Sequence, residues 1–512
     1  MYDINFYGAV GEIGGNKIKV DMNSTSLMLD FGMSFNEVGK YFDNFVQPRK
    51  ANGLEDFLEL NLLPHINGIY RKDYLRHTGN GYDKTPSIDG LLLSHAHADH
   101  ADYIKYLRPD IPIFMSVNSK IILDVIDQTG LGKELTTLKR QFEMVPKKRG
   151  DGYTKIRSPD NQVKRNLIVL EPYKKENIGN LDVQLAPVDH SLPGAAGYLI
   201  EGDERIVYTG DLRFHGRCRD STKEFVKKAS KFSPDIMLCE GTRINSETHK
   251  KEIDENGEKI EYLEYEEDIE KKAYPLISDY KGLTVINFPL RDLDRLVTFR
   301  NVAEQTGRKL LINTKQAYML KLIEEQNKEK TIYPSLNDEH IGIYISRRGS
   351  GYLGEETFVS YDGNWTVATD KDLIIKDYDK WERVFFEYDN FYTYRDVRAG
   401  QENFMIRADN FSFMELIDIE PENAIYIHST TGAFNTEMEL SKEITDNWLS
   451  HFNIPQYEHF HVSGHAKGSE LLEMIRTVEP DILYPIHTDD PGAFDVLKDD
   501  GINVIHPELA RR

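Results

Sequence analysis

The segment His95-Ala96-His97-Ala98-Asp99-His100 decides the fold of this chain. It follows the apolar run DGLLLS at 89–94, which predicts a short buried strand, and it has the spacing of a helix start. Three imidazoles and one carboxylate within six residues converge on a small volume. These groups are the ligands of catalytic zinc and related divalent ions. An ordinary core has little use for such a cluster, so the sequence predicts a metal site.

Two further candidate ligands lie at the ends of later predicted strands. His190 stands in APVDHSLPG, and Asp211 stands in VYTGDLRFHG. Either residue taken alone is more often an ordinary turn residue. Catalytic metal sites nevertheless take ligands from several parts of a chain and keep a position open for water. Because they follow HAHADH in this order, His190 and Asp211 are predicted to be metal ligands.

The chain changes its secondary-structure pattern after Arg243. Before that residue, short strands separated by turns are predicted at 16–20, 24–32 and 181–190, with a hairpin at 195–211. After it, strands alternate with helices, which predicts a parallel sheet. The predicted elements of this later part are strands at 282–288, 309–313, 423–430, 459–464, 479–490 and 502–507, and helices at 295–307 and 436–452. Residues 325–410 are interpreted as an insertion-rich stretch, without assignment of its elements.

HAHADH, a later strand-end histidine and TGD together resemble the metallo-β-lactamase superfamily. GEIGGNKIKV and LDFGMSF are similar to its N-terminal strands and its early aspartate, here Asp30. The resemblance implies an α/β fold, an αββα sandwich with two metal ions at one edge. The ligands it implies are His95, His97, His190 and Asp211 for the first metal, and Asp99, His100 and the shared Asp211 for the second.

The long interval after Asp211 indicates one branch of that superfamily. His465 lies 465 − 211 = 254 positions further on, which leaves room for an inserted domain. CEGTR, HVSGHA and PDILYPIHTDD resemble three further motifs of the β-CASP nucleases, and 288–312 resembles the first βα unit of the domain inserted in ribonuclease J-like enzymes. We therefore expect a metallo-β-lactamase domain formed by 1–243 and 451–512, with an inserted β-CASP domain at 244–450.

The resemblance and the chemistry of hydrolysis assign roles to four residues of these motifs. Asp99 would orient the attacking water as well as bind metal. His465, held by Glu240, would protonate the leaving group. His487 would complete the second metal site. The alternative for Glu240 is a plain strand-end carboxylate, and the alternative for His487 is a buried core histidine.

The turn HVSGHA is also a candidate phosphate site. His461, Ser463 and the backbone amides near Gly464 are donors, and turns of this kind bind phosphate oxygens. In ribonuclease J-like enzymes the equivalent pocket reads a 5′-monophosphate or the next phosphate along the chain. The alternative is a tight turn before a helix. Arg291 and Arg295 are candidates for a phosphate track, with surface or salt-bridge roles as the alternative.

The composition limits the class of protein. The chain has 512 residues and a net charge of 63 − 85 = −22, which excludes binding of nucleic acid through a broad basic face. Any basic track must be local, in the cleft expected between the two domains. Two cysteines exclude a disulfide framework and indicate a reducing compartment. The first ten residues lack the pattern of a signal peptide and no apolar run suits a membrane span, so we expect a cytoplasmic protein with no membrane partner.

The expected function is that of a two-metal-dependent ribonuclease, acting as a 5′-exonuclease, an endonuclease or both. Zn²⁺ is the expected ion, with Mn²⁺ as an alternative, and the expected partner is single-stranded RNA, including RNA with a 5′-monophosphate. DNA stays open because recognition of the 2′-OH cannot be read from sequence, and the resemblance is compatible with a homodimer. Two other functions stay open: hydrolysis of a small thioester or lactone, and an inactive scaffold in an RNA-processing complex. The inserted domain argues against the first, and the filled ligand positions argue against the second.

Overall fold

The structure is a computed structural model of the chain. It describes residues 2–510 except 44, 76–77, 79–80, 131–132, 139–141, 158–161, 246–262, 328–330, 349–356, 362–363, 369 and 433–435. The chain divides into two compact units: unit 1 comprises Met1–Lys250 and Gly464–Arg512, and unit 2 comprises Lys251–Ser463. Among the described residues, no helix is both long and apolar enough to cross a membrane.

The strands lie in both units and are numbered in chain order. They are β1 (Tyr2–Phe6), β2 (Ile18–Met22), β3 (Thr25–Leu29), β4 (Gly90–Leu92), β5 (Ile113–Met115), β6 (Thr137–Leu138), β7 (Phe142–Pro146), β8 (Tyr153–Arg157), β9 (Val163–Lys164), β10 (Leu167–Val169), β11 (Glu176–Ile178), β12 (Leu181–Pro187), β13 (Ala196–Glu201), β14 (Arg205–Tyr208), β15 (Ile236–Glu240), β16 (Leu283–Asn287), β17 (Lys309–Asn313), β18 (Ile341–Tyr344), β19 (Thr357–Tyr361), β20 (Asn364–Ala368), β21 (Phe391–Tyr392), β22 (Phe404–Arg407), β23 (Ala424–His428), β24 (Gln456–Tyr457), β25 (Ile482–Ile486) and β26 (Asn503–Val504).

The helices are numbered in the same way. They are α1 (Phe35–Gly39), α2 (Glu55–Glu59), α3 (Ala98–Ala101), α4 (Val117–Thr129), α5 (Arg219–Phe232), α6 (Glu266–Ser278), α7 (Leu293–Thr306), α8 (Thr314–Asn327), α9 (Asp370–Asp377), α10 (Lys380–Arg383), α11 (Tyr394–Ala399), α12 (Glu415–Ile419), α13 (Thr436–His451) and α14 (Gly468–Val478). Short 3-10 turns occur at Lys50–Asn52, Lys72–Tyr74, Asp102–Tyr106, Val384–Glu387, Gln401–Asn403 and Pro491–Asp500.

Unit 1 is a sandwich of two sheets. One has the order β1-β2-β3-β4-β5-β10 and the other the order β11-β12-β13-β14-β15-β25-β26. Their inner faces share one apolar core, which includes Val20 and Leu29 from the first sheet and Tyr198 and Leu238 from the second. β2 alternates buried and half-buried residues, as expected of a strand with one face in the core. The two-sheet sandwich therefore agrees with the sequence-based expectation.

Helices cover the outer face of the second sheet. Phe225 of α5 and Leu471 of α14 pack with Met237 of β15 and Leu483 of β25 in a second apolar core. β15 is buried along its whole length because it faces apolar side chains on both sides. β14, β15 and β25 are parallel neighbours. Their carboxyl ends therefore lie at one edge of the sheet, and the loops that follow can place polar residues together.

Unit 2 is built on a fully parallel sheet with the order β21-β18-β17-β22-β16-β23-β24. The βα units predicted from 282–313 and 423–452 are present as β16, α7, β17, β23 and α13. The unassigned stretch 325–410 is not a peripheral insertion, because β18, β21 and β22 come from it. These strands are only two to four residues long, which explains why their pattern was not recognised in the sequence.

The return to unit 1 comes later than the predicted boundary at 451. Gly464 begins the returning segment, because β24 still pairs with β23 of the parallel sheet. The strand predicted at 459–464 was wrong, since the structure has β24 at Gln456–Tyr457 and irregular chain from 458 to 467. The turn HVSGHA is thus a connecting loop.

Arg295 occupies the core of unit 2 and is not part of a phosphate track. Its side chain is fully buried, and its Nε donates to Glu266 Oε1 at 2.6 Å. Its NH1 donates to the carbonyl and the hydroxyl of Ser429 and to the Phe460 carbonyl. A guanidinium with its donors used in this way cannot reach RNA, so the phosphate-track prediction for Arg295 was wrong, and the alternative of a salt-bridge role is confirmed. Its role is to join α6, α7 and the ends of two loops.

Loss of the Glu266 carboxylate should destabilise unit 2 strongly. Glu266→Ala leaves the Arg295 charge buried without its partner, and we expect the free energy of unfolding to fall by about 3–5 kcal/mol. Glu325→Ala removes an exposed i,i+4 partner of Lys321 and should cost less than about 1 kcal/mol. Urea denaturation of both variants measures the difference. Equal losses in the two variants would contradict a structural role for the buried pair.

Candidate metal centre

The predicted metal ligands lie at the carboxyl ends of strands in unit 1. HAHADH follows β4, His190 follows β12, Asp211 follows β14 and His487 follows β25. The register makes β12 run in the same direction as β14, because each is antiparallel to β13. The residues from distant parts of the chain therefore meet at one edge of the sandwich. All seven predicted ligands fall into groups whose donor atoms lie within 4.8 Å of one another.

The first group consists of three histidines. His97 Nδ1 lies 2.9 Å from His95 Nε2 and 3.1 Å from His190 Nε2. Ligand atoms around tetrahedral zinc with bonds of about 2.0–2.1 Å are separated by about 3.3 Å. His95, His97 and His190 therefore have the spacing of three ligands on one ion.

The second group is centred on a single carboxylate oxygen. Asp211 Oδ2 lies 3.2 Å from His100 Nε2 and 3.7 Å from His487 Nε2. Asp99 Oδ2 approaches the same two rings, at 3.7 and 3.3 Å. Asp211 Oδ2 is also 3.7 Å from His95 Nε2 of the first group, so one oxygen faces both groups. That is the position required of a ligand shared by two metal ions.

The other ring nitrogen of three inward-facing histidines is held by a partner on the opposite side. His100 Nδ1 lies 2.7 Å from Asp30 Oδ2, and Ser94 Oγ donates to the same carboxylate at 2.6 Å. His95 Nδ1 is 3.0 Å from Ser94 Oγ. His190 Nδ1 is 2.5 Å from the Gly464 carbonyl. Such outer partners fix the ring and its tautomer, so that Nε2 can present its lone pair to a metal.

Glu240 joins the last strand-end residues to the cluster. Both of its oxygens lie 3.1 Å from His465 Nδ1, and it accepts hydrogen bonds from the backbone amides of Leu212 and Thr242. The carboxylate is fully buried. These contacts do not fit a plain strand-end carboxylate. They hold His465 Nε2 at 4.0 Å from Asp211 Oδ2. With His190 and Asp211, His465 forms a third group that could hold a metal ion.

The protonation states of the cluster suit a cation. Burial and the neighbouring rings hold the pKa of His95 and His190 well below the usual value, so both rings are neutral. Burial alone would lower the pKa of His100, but Asp211 and Asp99 raise it well above normal. His100 in turn holds the pKa of both carboxylates low, against the effect of burial. A bound dication would replace the His100 proton as counter-charge, because metal ligands must be deprotonated.

His465 titrates differently from the other histidines. Burial lowers its pKa, but the charge and the hydrogen bond of Glu240 outweigh that effect and raise it to about 9. About a fifth of the His465 side chain is exposed. The ring is therefore protonated at neutral pH in the metal-free protein, and part of it is open to solvent.

The buried atoms of the cluster test whether a metal fits. Asp211 Oδ1 is inaccessible to solvent and accepts no hydrogen bond from the described residues. Buried carboxylate oxygens normally have such partners. Nitrogen and oxygen donors in this number and spacing satisfy the requirements of divalent zinc or manganese. The residues present therefore fit a metal centre.

The predicted phosphate-binding residues occupy different environments. His461 and Ser463 are half-buried on the irregular segment before His465. The carbonyl of Gly464 already orients His190, and a Cβ at this position would lie 2.8 Å from Ser191 Oγ. Gly464 is therefore needed for close approach to the cluster. Arg291 is half-buried.

Sequence reasoning missed the residues that orient the ligands. Ser94 directly precedes HAHADH, and Thr242 lies two residues after Glu240. Tyr208 donates to Asp30 Oδ2 at 2.5 Å. Asp30 was noted only as an early aspartate, and its contact with His100 spans 70 positions. Proximity to HAHADH and to Glu240 is the signal that points to Ser94 and Thr242.

Two known families match separate segments of the chain. Residues 70–254 match the family described as the beta-lactamase superfamily domain. Residues 454–507 match the family described as the Zn-dependent metallo-hydrolase RNA specificity domain. The second match contains His465 and His487, and the first contains the other predicted ligands.

Several curated relatives carry the name ribonuclease J. The protein from Pyrococcus abyssi is 23% identical over 257 residues, covering 48% of this chain and 47% of that protein. The protein from Corynebacterium glutamicum is 23% identical over 246 residues, covering 47% of this chain and 26% of that protein. Ribonuclease J 2 from Streptococcus pyogenes is 19% identical over 483 residues, covering 94% of this chain and 68% of that protein. The chain thus spans less than half the length of the first two relatives.

A solved structure shares the whole fold. It belongs to a protein of unknown function from Enterococcus faecalis, with a TM-score of 0.68 at 22% identity. The alignment covers 99% of this chain and 98% of that one. At this identity the similarity concerns the fold alone.

Removal of the Asp30 carboxylate should weaken metal binding. In Asp30→Ala the His100 ring loses the partner of its Nδ1, and we expect a loss of about 10- to 100-fold in zinc affinity. Isothermal titration of metal-free protein with Zn²⁺ measures the loss. Asp3→Ala, on an exposed position of β1, serves as the matched control and should bind zinc like the unmodified protein. Unchanged affinity in Asp30→Ala would refute the orienting role.

Proposed function

The chain belongs to the metallo-β-lactamase superfamily and resembles the ribonuclease J-like enzymes of its β-CASP branch, and from this premise we propose that it hydrolyses RNA phosphodiester bonds. The reaction would require two divalent ions, Zn²⁺ or Mn²⁺. The protein would act as a 5′-exonuclease, an endonuclease or both. The observation that carries it is the convergence of two ligand groups on Asp211, next to a histidine that is held by a buried glutamate. The match to an RNA specificity domain supports RNA as the substrate.

The ligands divide between two ions. His95, His97 and His190 would hold the first ion, while Asp99, His100 and His487 would hold the second, and Asp211 would be shared. Divalent ions in these positions would lower the pKa of the attacking water and neutralise charge on the phosphoryl oxygens.

Asp99 is suited to position the attacking water. Its side chain is about one-fifth exposed, whereas His100, Asp211 and His487 of the same group are almost fully buried. Asp99 therefore faces the side from which water and substrate arrive. Its low pKa keeps it ionised, so a carboxylate oxygen can accept a hydrogen bond from the water.

His465 is suited to protonate the leaving oxygen. In the protonated ring, Nδ1–H donates to Glu240, and Nε2–H remains for the substrate. The attacking water loses one proton to solvent, its oxygen attacks phosphorus, the bond from phosphorus to the leaving oxygen breaks, and the leaving oxygen takes the Nε2 proton. A proton from solvent then restores the charged ring. Glu240 stabilises the charged ring before the transfer and fixes its orientation.

The negative charge of the chain shapes how RNA would be recognised. A net charge of −22 predicts weak non-specific binding that falls further with salt. Recognition then depends on local donors, for which His461, Ser463 and Arg291 remain candidates. A 5′-monophosphate is the group that we expect these donors to bind.

A comparison of substrates tests the proposed activity. Purified protein loaded with Zn²⁺ or Mn²⁺ is incubated with 5′-monophosphate RNA, 5′-triphosphate RNA and single-stranded DNA of the same sequence. We expect RNA to be cleaved, and chelation of the metals to abolish cleavage. If no polynucleotide is cleaved while both metals are bound, the nuclease proposal is wrong. Turnover of a thioester or lactone by the same preparation would then favour a small-molecule hydrolase.

His465→Ala separates acid catalysis from metal binding. The variant should lose about 10²- to 10⁴-fold in kcat because the leaving oxygen is no longer protonated. Metal content, measured by plasma mass spectrometry, should stay at the level of the unmodified protein. Turnover that survives the substitution contradicts the acid assignment. Loss of a metal ion would instead make His465 a ligand, as its distance to His190 and Asp211 permits. His506→Ala, an exposed histidine bound to Asp495, is the matched control.

A further inference from the structure

The turn that follows β15 contacts two histidines that return to the cluster from the end of the chain. Glu240 binds His465, as described above. Two residues later, Thr242 Oγ1 lies 2.8 Å from His487 Nδ1 and 3.4 Å from the His487 carbonyl. The Thr242 amide also donates to Glu240 at 3.1 Å. The same turn therefore reaches both residues.

His487 needs such a partner because its backbone conformation is unfavourable. Its φ is +52°, in the left-handed region that a residue with a Cβ rarely adopts. Its amide donates to the Ala9 carbonyl at 3.0 Å. Conformations of this kind persist only where surrounding contacts hold them. The Thr242 hydroxyl contacts both the ring and the carbonyl of this strained residue.

The single proton of the Thr242 hydroxyl decides the tautomer of His487. A hydroxyl has one hydrogen to donate and lone pairs with which to accept. If Thr242 donates to the His487 carbonyl, its oxygen accepts from Nδ1–H of the ring. The carboxylates of Asp99 at 3.3 Å and Asp211 at 3.7 Å favour a proton on Nε2, whereas this arrangement leaves Nε2 without one. This is the tautomer that a metal ligand requires.

The backbone of the turn is built for this approach. A Cβ on Gly241 would lie 2.6 Å from the Phe494 ring and 3.0 Å from Thr488 Cβ. Only glycine lets the turn come this close to the residues beside His487. The position of the Thr242 hydroxyl therefore depends on the residue before it.

We propose that Thr242 is a positioning residue that fixes the tautomer and orientation of His487 and thereby sets the affinity of the second metal ion. The inference rests on the proposal that these residues bind metal, but it does not depend on RNA being the substrate. Thr242 is not one of the residues that would hold the ions. It acts through His487, as Asp30 acts through His100.

Zinc titration of metal-free protein tests the inference without any measurement of cleavage. Thr242→Val keeps the shape of the side chain and removes the hydroxyl. We expect one zinc ion to bind as in the unmodified protein and the other to bind about 10- to 100-fold more weakly. Thr242→Ser restores the hydroxyl and should bring the second affinity back to within a few-fold. Thr284→Val, a buried threonine of unit 2, is the matched control and should bind both ions normally.

Two ions bound with unmodified affinities in Thr242→Val would overturn the inference, and so would a failure of Thr242→Ser to restore binding.

The unmodified protein offers a test that needs no folded variant of Thr242. In zinc-loaded protein labelled with ¹⁵N-histidine, the His487 signals are those that His487→Ala removes. We expect the proton on Nδ1. A proton on Nε2 would overturn the inference even if the nuclease activity is established. Because zinc on Nε2 by itself also leaves the proton on Nδ1, the expected tautomer supports the inference only together with weaker zinc binding in Thr242→Val, and neither result depends on cleavage of RNA.

Discussion

The metal centre depends on one buried carboxylate oxygen. Asp211 Oδ2 lies within 4.0 Å of the Nε2 atoms of four histidines, which are His95, His100, His465 and His487. An ionised carboxylate withdrawn from water is costly unless opposite charge compensates it. Without a metal, protonation of His100 supplies that charge, as the opposed pKa shifts of the two groups show. With metals bound, the same oxygen can serve two ions. The position of Asp211 therefore limits where these four rings can lie.

The rest of unit 1 keeps that arrangement rigid. Parallel strands place their carboxyl ends at one edge, and the residues that follow them are the candidate ligands. Behind the ligands stands a second layer of partners, in which Asp30, Ser94, Glu240 and Thr242 each hold the Nδ1 atom of one ring. Burial makes these hydrogen bonds strong and makes their loss expensive. The sandwich therefore serves to fix ring orientation as much as to supply ligands.

The sequence predicted the parts of the structure that depend on local pattern. HAHADH after an apolar run and the βα units of 282–313 follow from periodicity and residue type, whereas the sheet sandwich was expected from the resemblance of the motifs to a known superfamily. Arg295 was misread because its burial depends on Glu266 of another helix, and a positively charged residue looks the same in sequence whether buried or exposed. The segment 459–464 has the apolar alternation of a strand, but its residues serve loop contacts instead. Ring tautomers and the partner of Asp30 require long-range geometry that no local pattern contains.

We propose that Asp211 is shared by two metal ions. Anomalous X-ray diffraction at the zinc absorption edge, from crystals of zinc-loaded protein, locates these ions. We expect two peaks about 3.5–4 Å apart. One should lie at bonding distance from His95, His97 and His190 and the other from Asp99, His100 and His487, with Asp211 Oδ2 bonded to both. A single peak, or two peaks that leave Asp211 unbound, would show that Asp211 is not shared by two metal ions.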